Sequence, residues 1–108
     1  MQPEHYRSGQ NIFKEGEPGN KMYVVKEGEV ELSVHGKLAV SIGKGGIFGE
    51  MVLIDSKPRS ATAIAKTDCD LGPIDEARFL ELVHQKPSFA LEVMKVLVER
   101  LRLMDERT

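Results

Sequence analysis

With 108 residues, 41% of them hydrophobic and 30% charged, the chain has the size and composition of one globular domain with a modest core. A net charge of −2 gives no sign of a nucleic-acid-binding surface, and no apolar run approaches the roughly 20 residues that span a bilayer. The single cysteine, Cys69, excludes an internal disulfide, and the N-terminus lacks the basic and apolar regions of a signal peptide, so we expect a cytoplasmic protein.

The chain up to about residue 74 alternates glycine-containing turns with short apolar runs, a pattern typical of β-strands. In Val30–Val34 the apolar residues fall on one face with a period of two. Strands are predicted over residues 22–25, 30–34, 38–42, 60–65 and 69–74. Many short strands at close spacing favour an antiparallel β-sandwich or barrel.

The periodicity becomes helical near Asp75, which can cap a helix that begins at Glu76. The apolar face of this helix consists of Phe79, Leu80, Leu82 and Val83. Residues 86–88 break it, and Pro87 is well placed to open a second helix that runs to about Glu106. We therefore expect one domain over residues 1–108, with a β-barrel over about 4–74 and helices over about 75–106.

The segment from residue 45 to residue 65 carries the clearest functional pattern. Its glycines lead into a short predicted helix, whose free N–H groups and dipole favour an anion. Arg59 adds donors shaped for a phosphate or a carboxylate. Glu50 would repel a bare phosphate, so we expect it to face hydroxyl donors such as those of a ribose. The segment therefore predicts a site for a small sugar phosphate.

This segment resembles the phosphate-binding cassette of cyclic nucleotide-binding domains, whose pattern is roughly F-G-E-x-x-L followed by P-R-x-A-T-x-x-A. The matching residues are Phe48, Gly49, Glu50, Leu53, Pro58, Arg59, Ser60, Ala61, Thr62 and Ala65. Residues 12–30 and 79–102 also look like the first strands and the trailing helices of the family. The resemblance implies an antiparallel jelly-roll β-sandwich with a short cassette helix and two C-terminal helices.

The resemblance also implies roles for the cassette residues. Arg59 would pair with the exocyclic oxygens of a cyclic phosphate, the alternative being a surface arginine after a turn proline. Glu50 would accept a hydrogen bond from the ribose 2′-hydroxyl, the alternative being an acid favoured by the helix dipole. Gly49 would let the main chain approach the ligand, and Ser60 and Ala61 would add N–H donors.

The base of the nucleotide is less constrained. In bacterial members a Thr-Ser pair on the C-terminal helix holds adenine, and an ungapped alignment from Pro87 puts Met104 and Asp105 there. Phe48, Met51 and Met104 are also predicted to belong to the ligand site. The expected ligand is cAMP. The alternative is cGMP, because Ser60 could imitate the Thr that many cGMP-selective members carry after the cassette arginine.

The predicted function is that of a regulatory binding module, with no chemistry, cofactor or metal of its own, in which the ligand moves the two C-terminal helices. An interaction domain that no longer binds nucleotide is an alternative. A cupin-like enzyme is disfavoured because clustered His and Glu ligands are missing from the sequence. We expect no direct contact with nucleic acid or membrane, and the effector partner stays open.

A homodimer is predicted through the C-terminal helix. Its seam of apolar residues has heptad spacing and consists of Ala90, Met94, Leu97, Leu101 and Met104. The alternative is that this seam packs on the chain's own barrel. Because little chain precedes Phe13, we expect either a minimal member of the family or a piece of a larger protein.

Overall fold

The computed structural model describes the backbone of residues 2–106 and the side chains up to residue 102. This part contains eight strands, namely β1 (Glu4–Tyr6), β2 (Asn11–Phe13), β3 (Lys21–Glu27), β4 (Val30–Val34), β5 (Lys37–Ile42), β6 (Ile47–Phe48), β7 (Thr62–Ala65) and β8 (Cys69–Asp75). It contains three helices, namely α1 (Met51–Asp55), α2 (Glu76–Gln85) and α3 (Ser88–Glu106). The chain divides into a β unit that ends at Glu76 and a helical unit that begins at Ala77.

The strands of the β unit form two four-stranded sheets. One sheet has the order β1-β8-β3-β6 and the other the order β2-β7-β4-β5, and every pair is antiparallel. Helix α1 is inserted between β6 and β7, and the other two helices follow β8. The predicted sandwich with a short cassette helix and two C-terminal helices is therefore confirmed.

The core of the β unit contains an aromatic cluster of Phe13, Tyr23 and Phe48. Ring centroids lie 5.2 Å apart for Tyr23 and Phe48, 5.9 Å for Phe13 and Phe48, and 6.3 Å for Phe13 and Tyr23. Val30 and Leu32 are buried with this cluster, as the period of two in β4 predicts. Each aromatic pair stabilises the fold by about 0.5–1.5 kcal/mol beyond area burial, which makes this cluster a rigid support for the loops around it.

The strand boundaries differ from the predictions in places where the sequence has little periodicity. Strands β1 and β6 were not predicted separately, because runs of three and two residues are too short to show an alternation. Strand β7 begins at Thr62, so Ser60 belongs to the loop before it. Strand β8 continues through the whole segment up to Asp75.

In the helical unit, the predicted break between the two helices is confirmed. Helix α2 ends at Gln85, and Pro87 directly precedes α3. The N–H of Lys86 donates to the carbonyl of Leu82 at 2.8 Å, which closes the last turn of α2. The rings of Phe79 and Phe89 lie 5.6 Å apart and join α2 to α3.

The exposed apolar face of α3 agrees with the predicted seam at two positions and is shifted by one residue at two others. Met94 and Leu101 are exposed, as a seam that pairs with a second helix requires. Ala90 and Leu97 are partly buried, whereas their neighbours Leu91 and Val98 are exposed. We call Leu91, Met94, Val98 and Leu101 the α3 face, and its steps of three, four and three residues keep the heptad spacing.

Candidate functional site

Gly49 and Glu50 connect β6 to α1. Gly49 has a φ of +76°, a conformation that glycine adopts readily and other residues rarely adopt. A Cβ at this position would lie 2.8 Å from Nη1 of Arg59 and 3.3 Å from Cε2 of Phe13. Glycine is therefore needed here both for its backbone conformation and for the close approach of these two side chains.

The guanidinium of Arg59 is held by the main chain and by an aromatic ring. Nη1 donates to the carbonyl of Gly49 at 3.1 Å, and Nη2 donates to the carbonyl of Lys21 at 2.8 Å. Cζ lies 4.0 Å from the centroid of the Phe13 ring. A Cβ on Gly19 would lie 2.6 Å from Cζ, so a second glycine also leaves room for this group.

The main chain of Arg59 is bound on both sides by the loop between β2 and β3. The N–H of Gly16 donates to the carbonyl of Arg59, and the N–H of Arg59 donates to the carbonyl of Glu17, both at 2.8 Å. Close by, the N–H of Glu15 donates to Oγ1 of Thr62 at 2.9 Å. These bonds fix the path of the chain before β7, and they place residue 59 independently of its side chain.

One nitrogen of the guanidinium, Nε, makes no hydrogen bond. Arg59 is 5% exposed, and within the part of the chain that the structure describes its Nε is the buried side-chain nitrogen or oxygen without a hydrogen bond. Burial lowers the pKa of Arg59, while nearby Tyr23, Glu17 and Glu50 act in the opposite direction. The guanidinium stays protonated because its ordinary pKa lies far above neutrality. The site therefore contains a buried cation with an unused N–H donor.

Glu50 is also buried, with 1% of its surface exposed. Its main-chain carbonyl accepts from the N–H of Leu53 at 3.1 Å, which starts α1. Its side chain makes no capping hydrogen bond to this helix. A buried carboxyl group and a buried guanidinium in the connection between β6 and β7 suit a ligand that carries both hydroxyl donors and an anionic group.

A family model described as the cyclic nucleotide-binding domain matches residues 3–86. The chain belongs to this family. The match contains the whole cassette from Phe48 to Ala65, so the resemblance predicted from its motif is confirmed.

Solved structures of similar domains agree with this family. The catabolite activator protein of Thermus thermophilus is 32% identical with a TM-score of 0.86, over 98% of this chain and 52% of that chain. The cAMP-bound PfPKA-R is 28% identical with a TM-score of 0.86, over 97% of this chain and 36% of that one. The cGMP-bound form of the EAL enzyme Bd1971 is 32% identical with a TM-score of 0.74, over 98% and 30%. The chain thus spans about half or less of these proteins.

The other predicted residues of this cyclic nucleotide-binding domain lie in different environments. Ser60 is exposed, and its Oγ donates to Sδ of Met51, itself exposed, at 3.4 Å. Ala61 is partly buried against the core. Phe48 is fully buried in the aromatic cluster of the core. The side chain of Met104 lies outside the described residues.

Three neighbours of Arg59 were missed as parts of the site. The resemblance puts Phe13 among the first strands, Gly19 reads as a turn residue and Lys21 directly precedes the strand predicted over 22–25, and none of these patterns says which residue meets Arg59. Lys21 takes part through its main-chain carbonyl, a group that every residue has. The signal that could have found Phe13 is its place at the end of a strand, directly before the glycine-containing loop that holds Arg59.

Lys21 is itself anchored to strand β1. Its Nζ donates to Glu4 Oε2 at 2.6 Å, and the hydroxyl of Tyr6 donates to Glu4 Oε1 at 2.6 Å. Burial raises the pKa of the Glu4 carboxyl, but the hydrogen bonds from Lys21 and Tyr6 outweigh it, so the pKa lies below its ordinary value of 4.5. The hydrogen bond to Glu4 likewise raises the pKa of Lys21.

Residues 2–106 also bear on two other kinds of feature, a metal site and a membrane-spanning helix. No group of three or more His, Cys, Asp or Glu side chains there is arranged to hold a metal ion. Neither is any helix in that range long and apolar enough to cross a membrane.

Proposed function

We propose that this cyclic nucleotide-binding domain binds cAMP in preference to cGMP at its cassette and acts as a regulatory module without chemistry of its own. The observation that carries the proposal is the buried guanidinium of Arg59, whose Nε has no partner, in the same connection between β6 and β7 as the buried carboxyl group of Glu50. An unpaired buried donor costs about 1–3 kcal/mol, which an anionic ligand would recover.

In this proposal the two charges meet different parts of one ligand. Arg59 binds the exocyclic oxygens of the cyclic phosphate, and Glu50 accepts from the ribose 2′-hydroxyl. The N–H groups of Gly49, Ser60 and Ala61 add donors around the phosphate. The side chain of Phe48 supports the loop from below, since it is fully buried.

The choice of cAMP is supported by a similar structure described as cAMP-bound, although another is described as cGMP-bound. Ser60, the residue after the cassette arginine, is exposed and keeps a hydroxyl that could serve either ligand. We propose that binding changes the arrangement of α2 and α3. A ligand can do this only if its affinity differs between two arrangements of these helices. The exposed α3 face supports a further proposal, that two copies pair through this helix.

The proposal is tested by calorimetric titration of the purified chain with cAMP and with cGMP. We expect saturable binding of cAMP at micromolar affinity or better, and weaker binding of cGMP. In Arg59→Ala, removal of one partner of a buried charge pair should cost about 2–5 kcal/mol, or at least about 30-fold in affinity. Lys57→Ala is the matched control, because Lys57 is an exposed cation of the same loop.

An unchanged affinity of Arg59→Ala for cAMP would refute the proposal that the cassette binds the ligand. The interaction-domain alternative is favoured instead if the wild-type chain gives no heat with either nucleotide at several temperatures, since a zero enthalpy cannot persist across them.

A further inference from the structure

The ring of Phe13 lies against the guanidinium that the proposed function assigns to phosphate binding. Arg59 Cζ is 4.0 Å from the centroid of this ring, and both side chains are largely withdrawn from water. We propose that Phe13 is a positioning residue for the ligand, because its aromatic face holds the Arg59 guanidinium in the orientation that receives the phosphate. The inference rests on the proposed function and adds a residue outside the cassette to it.

The geometry shows how Phe13 can do this without competing with the ligand. Nη1 and Nη2 of Arg59 each donate one N–H, to the carbonyls of Gly49 and Lys21 respectively. These two bonds grip one end of the guanidinium, while Nε is left without a partner. An aromatic face attracts a cation over its whole area and needs no N–H donor. A polar residue in place of Phe13 would take up the donor that the phosphate needs.

The position of the ring is itself well determined. Phe13 is the last residue of β2, pairs with Ala63 of β7 and packs on Tyr23 and Phe48. Ring Cε2 would lie 3.3 Å from a Cβ on Gly49, so this glycine lets ring, loop and guanidinium meet. Strand β2 therefore holds the Phe13 ring, and with it the Arg59 guanidinium, in a fixed position relative to the core.

Loss of the ring should weaken ligand binding, because a long side chain that is no longer held must be ordered when the ligand arrives. Ordering one such side chain corresponds to about a 3- to 10-fold loss of affinity. Phe13→Leu keeps an apolar residue in the core and removes the aromatic face. Phe13→Tyr keeps the face and should restore the wild-type affinity. Leu32→Ala in the same core cluster is the control for general destabilisation, and it should not change affinity.

A spectroscopic measurement tests the contact without any ligand. In wild-type protein the Nε–H resonance of Arg59, assigned by its loss in Arg59→Lys, should be protected from exchange with water and shifted by the Phe13 ring current. Both properties should disappear in Phe13→Leu and persist in Leu32→Ala. On addition of cAMP the wild-type resonance should shift again as Nε finds an acceptor.

The positioning role is refuted if Phe13→Leu binds cAMP as tightly as wild type, or if Phe13→Tyr loses as much affinity as Phe13→Leu. It is equally refuted if the Nε–H signal is the same in wild type and Phe13→Leu. Failure of the proposed function looks different, since wild-type protein would then bind neither nucleotide while the ligand-free Nε–H signature of the Phe13 contact remained.

Discussion

Glu50 and Arg59 are two ionisable side chains that this small domain buries away from water. Such burial costs stability unless partners compensate for the lost hydration. Arg59 is partly compensated by two carbonyls and a ring, but its Nε is not. If Arg59 binds the phosphate as proposed, the two bonds that hold its guanidinium are separate from the N–H groups left for the ligand.

At the scale of single residues, Glu50→Gln tests the ribose contact. A hydrogen bond to a charged group contributes about 1.5–3 kcal/mol, so wild-type protein should prefer cAMP over 2′-deoxy-cAMP by at least about tenfold. In Glu50→Gln that preference should shrink to a few-fold, because the acceptor is no longer charged. Titration of both proteins with both nucleotides measures it. An equal preference for cAMP over 2′-deoxy-cAMP in the two proteins would show that the 2′-hydroxyl does not contact Glu50.

The cassette residues could be singled out from the sequence because they form an ordered motif in one continuous segment, from β6 to β7. Arg59 and Glu50 needed only that motif to be singled out. Phe13 could not be predicted as a partner of Arg59, because the contact joins residues far apart in the chain and depends on the approach of β2 to the cassette. Phe48 is fully buried, and the ligand contact predicted for it from its place in the motif stays a prediction.

At the scale of elements, the short edge strand β1 is held to β3 by side chains as well as by its pairing with β8. Glu4 receives hydrogen bonds from Lys21 and Tyr6, and its pKa is lowered as a result. A carboxyl whose pKa is lower in the folded than in the unfolded state adds stability above its unfolded pKa. That contribution is lost as the pH falls through the folded value.

Glu4→Gln should therefore lower the free energy of unfolding by about 1 kcal/mol at pH 7. The difference from wild type should hold down to about pH 5 and then shrink as the pH falls below 4.5, the ordinary value of this carboxyl. Urea unfolding between pH 3 and pH 7 measures it. Glu27→Gln is the control, because Glu27 pairs with Lys44 at a more exposed position and should matter less. A difference that does not vary with pH would assign the stabilisation to packing.

At the scale of the whole molecule, the α3 face allows a test of the proposed dimer. Leu101→Glu puts a charge into this face, whereas Glu99→Ala changes an exposed residue away from it. We expect wild type and Glu99→Ala to sediment as dimers at micromolar concentration and Leu101→Glu as a monomer. Sedimentation of wild type as a monomer, with and without cAMP, would contradict the pairing.

The overall architecture could be predicted because alternation of turns and apolar runs, followed by helical periodicity, suffices to order the elements. The register of the exposed face on α3 could not. Ala90 and Leu91, like Leu97 and Val98, are adjacent apolar residues, and the sequence does not say which of each pair faces water. That choice depends on packing.

The loop that clamps residue 59 has an evolutionary consequence. The clamp uses the N–H and the carbonyl of Arg59, which every amino acid except proline supplies. If Arg59 binds the phosphate as proposed, a single codon change at this position abolishes that recognition while the chain keeps its course into β7. Descendants of such a domain can become ligand-independent in one step and retain the jelly roll as a scaffold for another role.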